Sequence, residues 1–223
     1  MKNGINYKLR EKRIIPMLNM VKLYFEKFGY VSILDIGGSK NYWDIVPKEF
    51  LERHMVKITC LNLPNVNLPV NDNIFTFVNG DGCNLTEFKD NQFHIAHSNS
   101  VIEHVGDWSK MIQFSNEIRR VADSYFVQTP NYWFPIEPHW YLPFFHWLPR
   151  PLEALCLMTF PPMANYDKKC KNIDEAMRRI DESRLLSKSM FSWLFPDATI
   201  KVERYILLSK SFVAVRNGLR AYR

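Results

Sequence analysis

Short apolar runs of strand length recur along the first 130 residues of this 223-residue chain, alternating with helix-like stripes or polar loops. They are Val31 to Ile36, Val56 to Leu63, Ile74 to Val78, Phe93 to His97 and Tyr125 to Gln128. Runs this apolar and this short fit strands buried on both faces, as in a parallel sheet covered by helices. Between Arg10 and Phe28, Ile14, Met17, Leu18, Val21, Leu23 and Tyr24 keep close to a helical period, with Gly29 as the stop. From Asp107 to Ala122, residues Trp108, Met111, Ile112, Ser115, Ile118 and Ala122 share one face, with Asp107 as N-cap. Residues 44–54 read as a weak helix and 171–195 as helical. Two closing runs, Thr199 to Leu207 and Ser211 to Val215, are close enough to pair antiparallel. An α/β fold with a mainly parallel sheet is expected, its ligand at the strand C-terminal ends.

The texture changes after Thr129. Pro130 to Tyr166 holds eight prolines among many aromatics, too Pro-rich for a long helix. Residues 130–170 are therefore read as an insertion within a single domain spanning 1–223. Three uses fit it: a lid over the ligand cleft, extra core, or a membrane-surface patch with Arg150 at its flank.

Composition, 47% hydrophobic and 23% charged, is that of a folded globular chain. No apolar stretch approaches the roughly 20 residues of a membrane span. The basic start MKNGINYKLREKRIIPML lacks a secretory pattern, so a cytoplasmic location is expected, with peripheral membrane contact as the alternative. Cys60, Cys83, Cys156 and Cys170 form no CxxC pair, which argues against a zinc ribbon or disulfide framework. The net charge of +6 reads as solvated helix faces before it reads as a nucleic-acid surface.

Taken in order, ILDIGGSKNYW, ITCLNLP, VNGDGCNL, FHIAHSNSVIEHVGDW and RRVADSYFVQTPNYWFP resemble the motif set of class I S-adenosylmethionine-dependent methyltransferases, over roughly residues 30 to 135. The match is nearest to the branch whose fourth strand leads into a segment like SNSVIEHV. The resemblance implies a Rossmann-like fold, with a seven-stranded, mainly parallel sheet and an antiparallel C-terminal hairpin. It also implies S-adenosylmethionine as cofactor. Asp35, Gly37 and Gly38 would line its amino-acid and sugar portion, Asp35 facing the charged end. Asn62 would meet the ribose hydroxyls. Asp81, beside Gly80 and Gly82, would accept from the adenine amino group, with Cys83 beside the ring. Ser98 and Asn99 would open towards the sulfonium. The sequence departs from the family at Ser39 and Asn41, where glycines are common, at Asn62, where a carboxylate is usual, and at His94, where Asp often stands.

A hydroxyl acceptor needs a base, and His104 after the fourth strand is the best placed, followed by His139 with Glu137 nearby in FPIEPHW. His54, His94, His97 and His146 are read as structural or surface residues. Glu103 with His104 suggests a divalent ion, but two adjacent ligands do not make a site, so no metal is expected.

The expected function is methyl transfer to a small-molecule or glycan acceptor, at oxygen. A nucleic-acid acceptor is disfavoured because the fourth strand ends in HSNS rather than a Pro-Pro-aromatic signature. A non-catalytic module retaining the fold is the alternative suggested by Ser39, Asn41 and Asn62. A nicotinamide oxidoreductase lacks its GxGxxG pattern here.

Overall fold

The computed structural model describes residues 5–64, 66–139, 141–160 and 169–219. Helix α1, Ile5–Phe28, precedes strand β1, Val31–Ile36. A 3-10 turn at Lys40–Ile45 and helix α2, Lys48–Arg53, lead to β2, Val56–Asn62, and β3, Phe75–Asn79. Strand β4, Phe93–Asn99, runs through a 3-10 turn at Ile102–His104 into α3, Trp108–Val121, and β5, Ala122–Pro130. Helices α4, Arg150–Thr159, α5, Ile173–Asp181, and α6, Lys188–Leu194, precede the closing strands β6, Thr199–Tyr205, and β7, Leu208–Arg216.

All seven strands form one sheet in the order β3-β2-β1-β4-β5-β7-β6. The pairs among β1 to β5 are parallel, and β7 runs antiparallel to both β5 and β6. The order reverses between β1 and β4, which opens a crevice at the strand C-terminal ends where ligands bind in such sheets.

Alternation along β1 feeds two cores. Val31 and Ile33 pack with Met17, Met20, Val21 and Tyr24 of α1 on one face. Leu34 and Ile36 pack with Met111, Phe114 and Ile118 of α3 and with Phe191 and Phe195 on the other. Asp107 caps α3 as expected, its side chain accepting from the Lys110 amide.

Three local expectations change. The 44–54 helix is split, because Pro47 ends the 3-10 turn and starts α2 as its N-cap. The 171–195 stretch is two helices. Between them the Arg184 amide donates to the Glu103 carbonyl (2.7 Å), and the Leu186 carbonyl accepts from the Tyr132 amide (3.0 Å), so the backbone leaves the helix to brace the site. The insertion carries the ten-residue helix α4, because Pro149 and Pro151 fall at its start, where a missing N–H costs nothing. Helix α4 packs with α5 around Phe145, Ala154, Leu157, Cys170 and Ala176, a third small core. Trp133, Phe144, Leu155 and Phe160 of the insertion are exposed. Among the described residues no helix is long and apolar enough to cross a membrane.

Candidate active site

Three cavities run along the C-terminal ends of β1, β2, β4 and β5. The first, about 250 Å³, lies over the loop after β1 and is lined by Arg10, Asp35, Gly38, Tyr42, His97 and Asn99, among others. Its floor is a buried polar knot. Asp35, 1% exposed, accepts at Oδ2 from Trp43 Nε1 (2.7 Å) and holds His97 Nδ1 with Oδ1 (2.6 Å). His97 Nε2 is buried with no hydrogen-bond partner. A Cβ on Gly38 would lie 1.9 Å from Asp35 Oδ2, so only glycine lets the loop close over this carboxylate. Burial pushes the Tyr42 hydroxyl in the same wall up to about 12.

Gly37 joins this cavity to a second of about 310 Å³, lined by Asn62, Leu63, Asp81, Gly82, Val105 and Phe114 with others. Asn62 Nδ2 donates to the Gly38 carbonyl (2.9 Å), a bond that a carboxylate at this position has no proton to make. The Asn62 side-chain oxygen is left as an acceptor. Asp81 is exposed, and its Oδ1 accepts from the Cys83 amide (2.9 Å), which fixes the carboxylate on its turn. A Cβ on Gly82 would lie 2.7 Å from Ile36 Cγ2 and 2.8 Å from Phe114 Cε2.

The third cavity, about 290 Å³, shares Arg10 and Asn99 with the first and is lined by Gln128, Asn131, His139, Tyr141 and Lys210, among others. Arg13 NH2 donates to Asn99 Oδ1 (3.0 Å), and its NH1 pairs with Glu203 of β6 (3.2 Å), tying α1 to the strand ends.

His104 lines the second cavity and His139 the third, and their Nε2 atoms are 3.0 Å apart. Each ring is held from behind. His104 Nδ1 faces the Glu182 carbonyl (2.7 Å), and His139 Nδ1 faces Glu137 Oε1 (2.6 Å) while the His139 amide donates to Glu137 Oε2 (2.6 Å). Desolvation lowers the His104 imidazole. Burial also depresses His139, but the Glu137 hydrogen bond and charge outweigh it and leave that imidazole raised. Glu103, 1% exposed, accepts from Thr129 Oγ1 at Oε2 (3.0 Å), while Oε1 has no partner. Burial raises its carboxyl to about 7.

The residues expected from sequence are therefore dispersed along one cleft, with exceptions. Ser98 is fully buried in the sheet and lines none of the three cavities, because strand alternation turns His97 and Asn99 to the cleft and Ser98 away. Cys83 is buried in the α3 core, its Sγ facing the Lys110 carbonyl (3.4 Å). Asp35 reaches the cavity wall with both oxygens already engaged. His97, read as structural, lines the first cavity together with Arg10 and Asn99. The β1–β4 register, Asp35 beside His97, is the signal that places it there. Arg10, Arg13 and Lys210 carried no local signal, because α1 and the final hairpin bring them in from distant parts of the sequence, and Gln128 arrives through the pairing of β5 with β4.

The donor set fits S-adenosylmethionine. Glycines admit backbone close to the ligand at Gly38 and Gly82, polar acceptors stand at Asn62 and Asp81, and a cation, Arg10, faces the polar end of the cleft.

Residues 46–124 match a family model described as a methyltransferase domain. No curated protein matches the chain by sequence. Among solved structures, a Rhodobacter sphaeroides protein described as a Zn-dependent alcohol dehydrogenase is 10% identical with a TM-score of 0.52, covering 93% of this chain and 96% of that one. At that identity the likeness shows the shared fold alone. A Pyrococcus horikoshii protein is 14% identical over 96% of this chain and 91% of its own, with a TM-score of 0.49. A Galdieria sulphuraria protein described as a sarcosine dimethylglycine methyltransferase is 15% identical over 51% of this chain, with a TM-score of 0.36; the match spans 45% of that protein. Residues 46–124 thus match a methyltransferase domain, and they lie on a seven-stranded sheet whose antiparallel final hairpin completes the Rossmann-like fold of class I methyltransferases.

Proposed function

We propose that the chain methylates a hydroxyl of a small-molecule or glycan acceptor held in the third cavity. The observation that carries this reading is the His104–His139 contact, which stands between the second cavity and the third. The cofactor supplies an already activated methyl carbon, so rate comes mainly from alignment and from handling the acceptor's proton. Asp81 would accept from the adenine amino group, and the Asn62 side-chain oxygen from a ribose hydroxyl. Arg10, with Tyr42 beside it, would face the amino-acid carboxylate. Asn99, Gln128 and Asn131 offer hydrogen bonds, and Tyr141 and Phe134 offer apolar faces, a mixture suited to a polyhydroxylated ring. The insertion thus serves as the wall of the acceptor pocket.

Calorimetry with S-adenosylhomocysteine tests the cofactor half. Wild type is expected to bind in the micromolar range and Asp81→Ala at least about tenfold more weakly, as for one lost charge-assisted hydrogen bond. No heat with wild type would favour a non-catalytic module. Methyl transfer to a panel of sugars, phenols and oligonucleotides tests the acceptor half, and transfer to the oligonucleotides alone would overturn it.

A further inference from the structure

We propose that Glu103, His104 and His139 form a binding site for one divalent transition-metal ion such as zinc. The fold brings together three donors that the sequence leaves apart. Glu103 and His104 lie in the turn after β4, and His139 comes from the insertion. One ligand atom from each lies within 4.8 Å of the other two.

Hydrogen-bond accounting favours a cation at their centre. A carbonyl only accepts, so His104 Nδ1 carries the proton towards Glu182, and His139 Nδ1 donates to the Glu137 carboxylate. With both rings neutral, the two Nε2 atoms present lone pairs to each other at 3.0 Å, so the contact calls for a cation between them, a proton or a metal ion. With metal–nitrogen bonds of about 2.0–2.1 Å, that separation corresponds to a near-right angle at the ion, and a small opening makes it tetrahedral.

A second, independent observation is the Glu103 carboxylate, buried at 1% exposure with Oε1 unpartnered. Each ligand is also oriented from behind, by Glu137, by the Glu182 carbonyl and by Thr129 on Glu103 Oε2, the arrangement that metal-binding histidines and carboxylates commonly show. Three protein donors leave at least one coordination position for a ligand. His139 lines the acceptor cavity, so an acceptor hydroxyl can occupy that position and lose its proton to solvent more readily. The ion's role in methyl transfer rests on the function proposed above; its binding does not.

The test uses the full chain, stripped with a chelator and titrated with Co²⁺ followed by visible absorption, then with Zn²⁺ followed by elemental analysis after dialysis. One equivalent is expected in wild type. His139→Ala and the near-isosteric Glu103→Gln should each bind at least about 100-fold more weakly, and Glu137→Gln about 10- to 100-fold more weakly. The variant His54→Ala, at the end of α2 and outside the proposed ligand set, should bind like wild type. S-adenosylhomocysteine binding by each variant reports that the fold is intact. Failure of stripped wild type to take up either ion, or equal uptake by His139→Ala and Glu103→Gln, overturns the site. Stoichiometric metal without S-adenosylhomocysteine binding would leave the site standing and overturn the methyl-transfer reading instead.

Discussion

At the scale of single residues, the loop after β1 is held by groups that each do two things. Asp35 anchors Trp43 and His97 and also fills the space a side chain at residue 38 would need. Asn62 replaces the family's carboxylate, yet its amide secures the Gly38 carbonyl while its oxygen remains an acceptor. The departure is thus compatible with a working ribose contact. Gly38→Ala forces a methyl carbon onto a carboxylate locked by two hydrogen bonds. We expect a loss of about 2–4 kcal/mol of stability in urea unfolding, from overpacking and the disturbed buried knot. Affinity for S-adenosylhomocysteine should fall at least about tenfold; unchanged binding and midpoint would show that the loop has another way to close. The turns that carry Gly37, Gly38 and Asp81 were legible because strand ends leave local signatures, whereas no such signature says what those residues bind. Ser98 was misplaced because a motif fixes a segment, whereas the face is set by period-two alternation within it.

At the scale of elements, local signals and tertiary contacts divide the result. Helix α3 was readable from an apolar stripe and its cap, since both act within a few residues. Asp107→Ala removes the cap's bond to the Lys110 amide and should cost about 1 kcal/mol in chemical denaturation. The break between α5 and α6 was not readable, because its cause lies in Glu103 and Tyr132, distant in sequence. Nor could sequence join His139 to Glu103 and His104, since the insertion's path decides that distance. Asp197 joins strand and helix in a similar non-local way. It accepts from the Tyr125 hydroxyl (2.6 Å) and lies 3.2 Å from both Arg119 and Arg216. Burial raises its carboxyl, but the Tyr125 bond, its own backbone amide and the two arginines together leave it below the ordinary carboxylate value. A depressed folded-state value stabilises above the unfolded value and is lost as pH falls through the folded one. Asp197→Asn should therefore cost about 1–2 kcal/mol at pH 7, discounted for partial exposure, and the gap to wild type should narrow below about pH 4. A gap constant from pH 7 to 3 would mean the charge contributes nothing.

At the scale of the whole molecule, the cleft is assembled from distant parts of the sequence: α1 supplies Arg10 and Arg13, β1 to β5 supply the floor, the insertion supplies His139, and the final hairpin supplies Glu203 and Lys210. Such a site couples ligand binding to the stability of the folded chain, because unfolding separates every one of those groups. A ligand that binds only the folded state at 100 times its dissociation constant adds about 2.7 kcal/mol. For a domain of this size that amounts to a rise of about 5–10 °C in melting temperature. S-adenosylhomocysteine should produce that shift in wild type. In Arg13→Ala, which releases α1 from Asn99 and Glu203, both the baseline and the ligand-induced rise should fall, because α1 closes the polar end of the first cavity. A full rise in Arg13→Ala would restrict the cofactor's contacts to the sheet edge and leave α1 to serve the acceptor cavity alone.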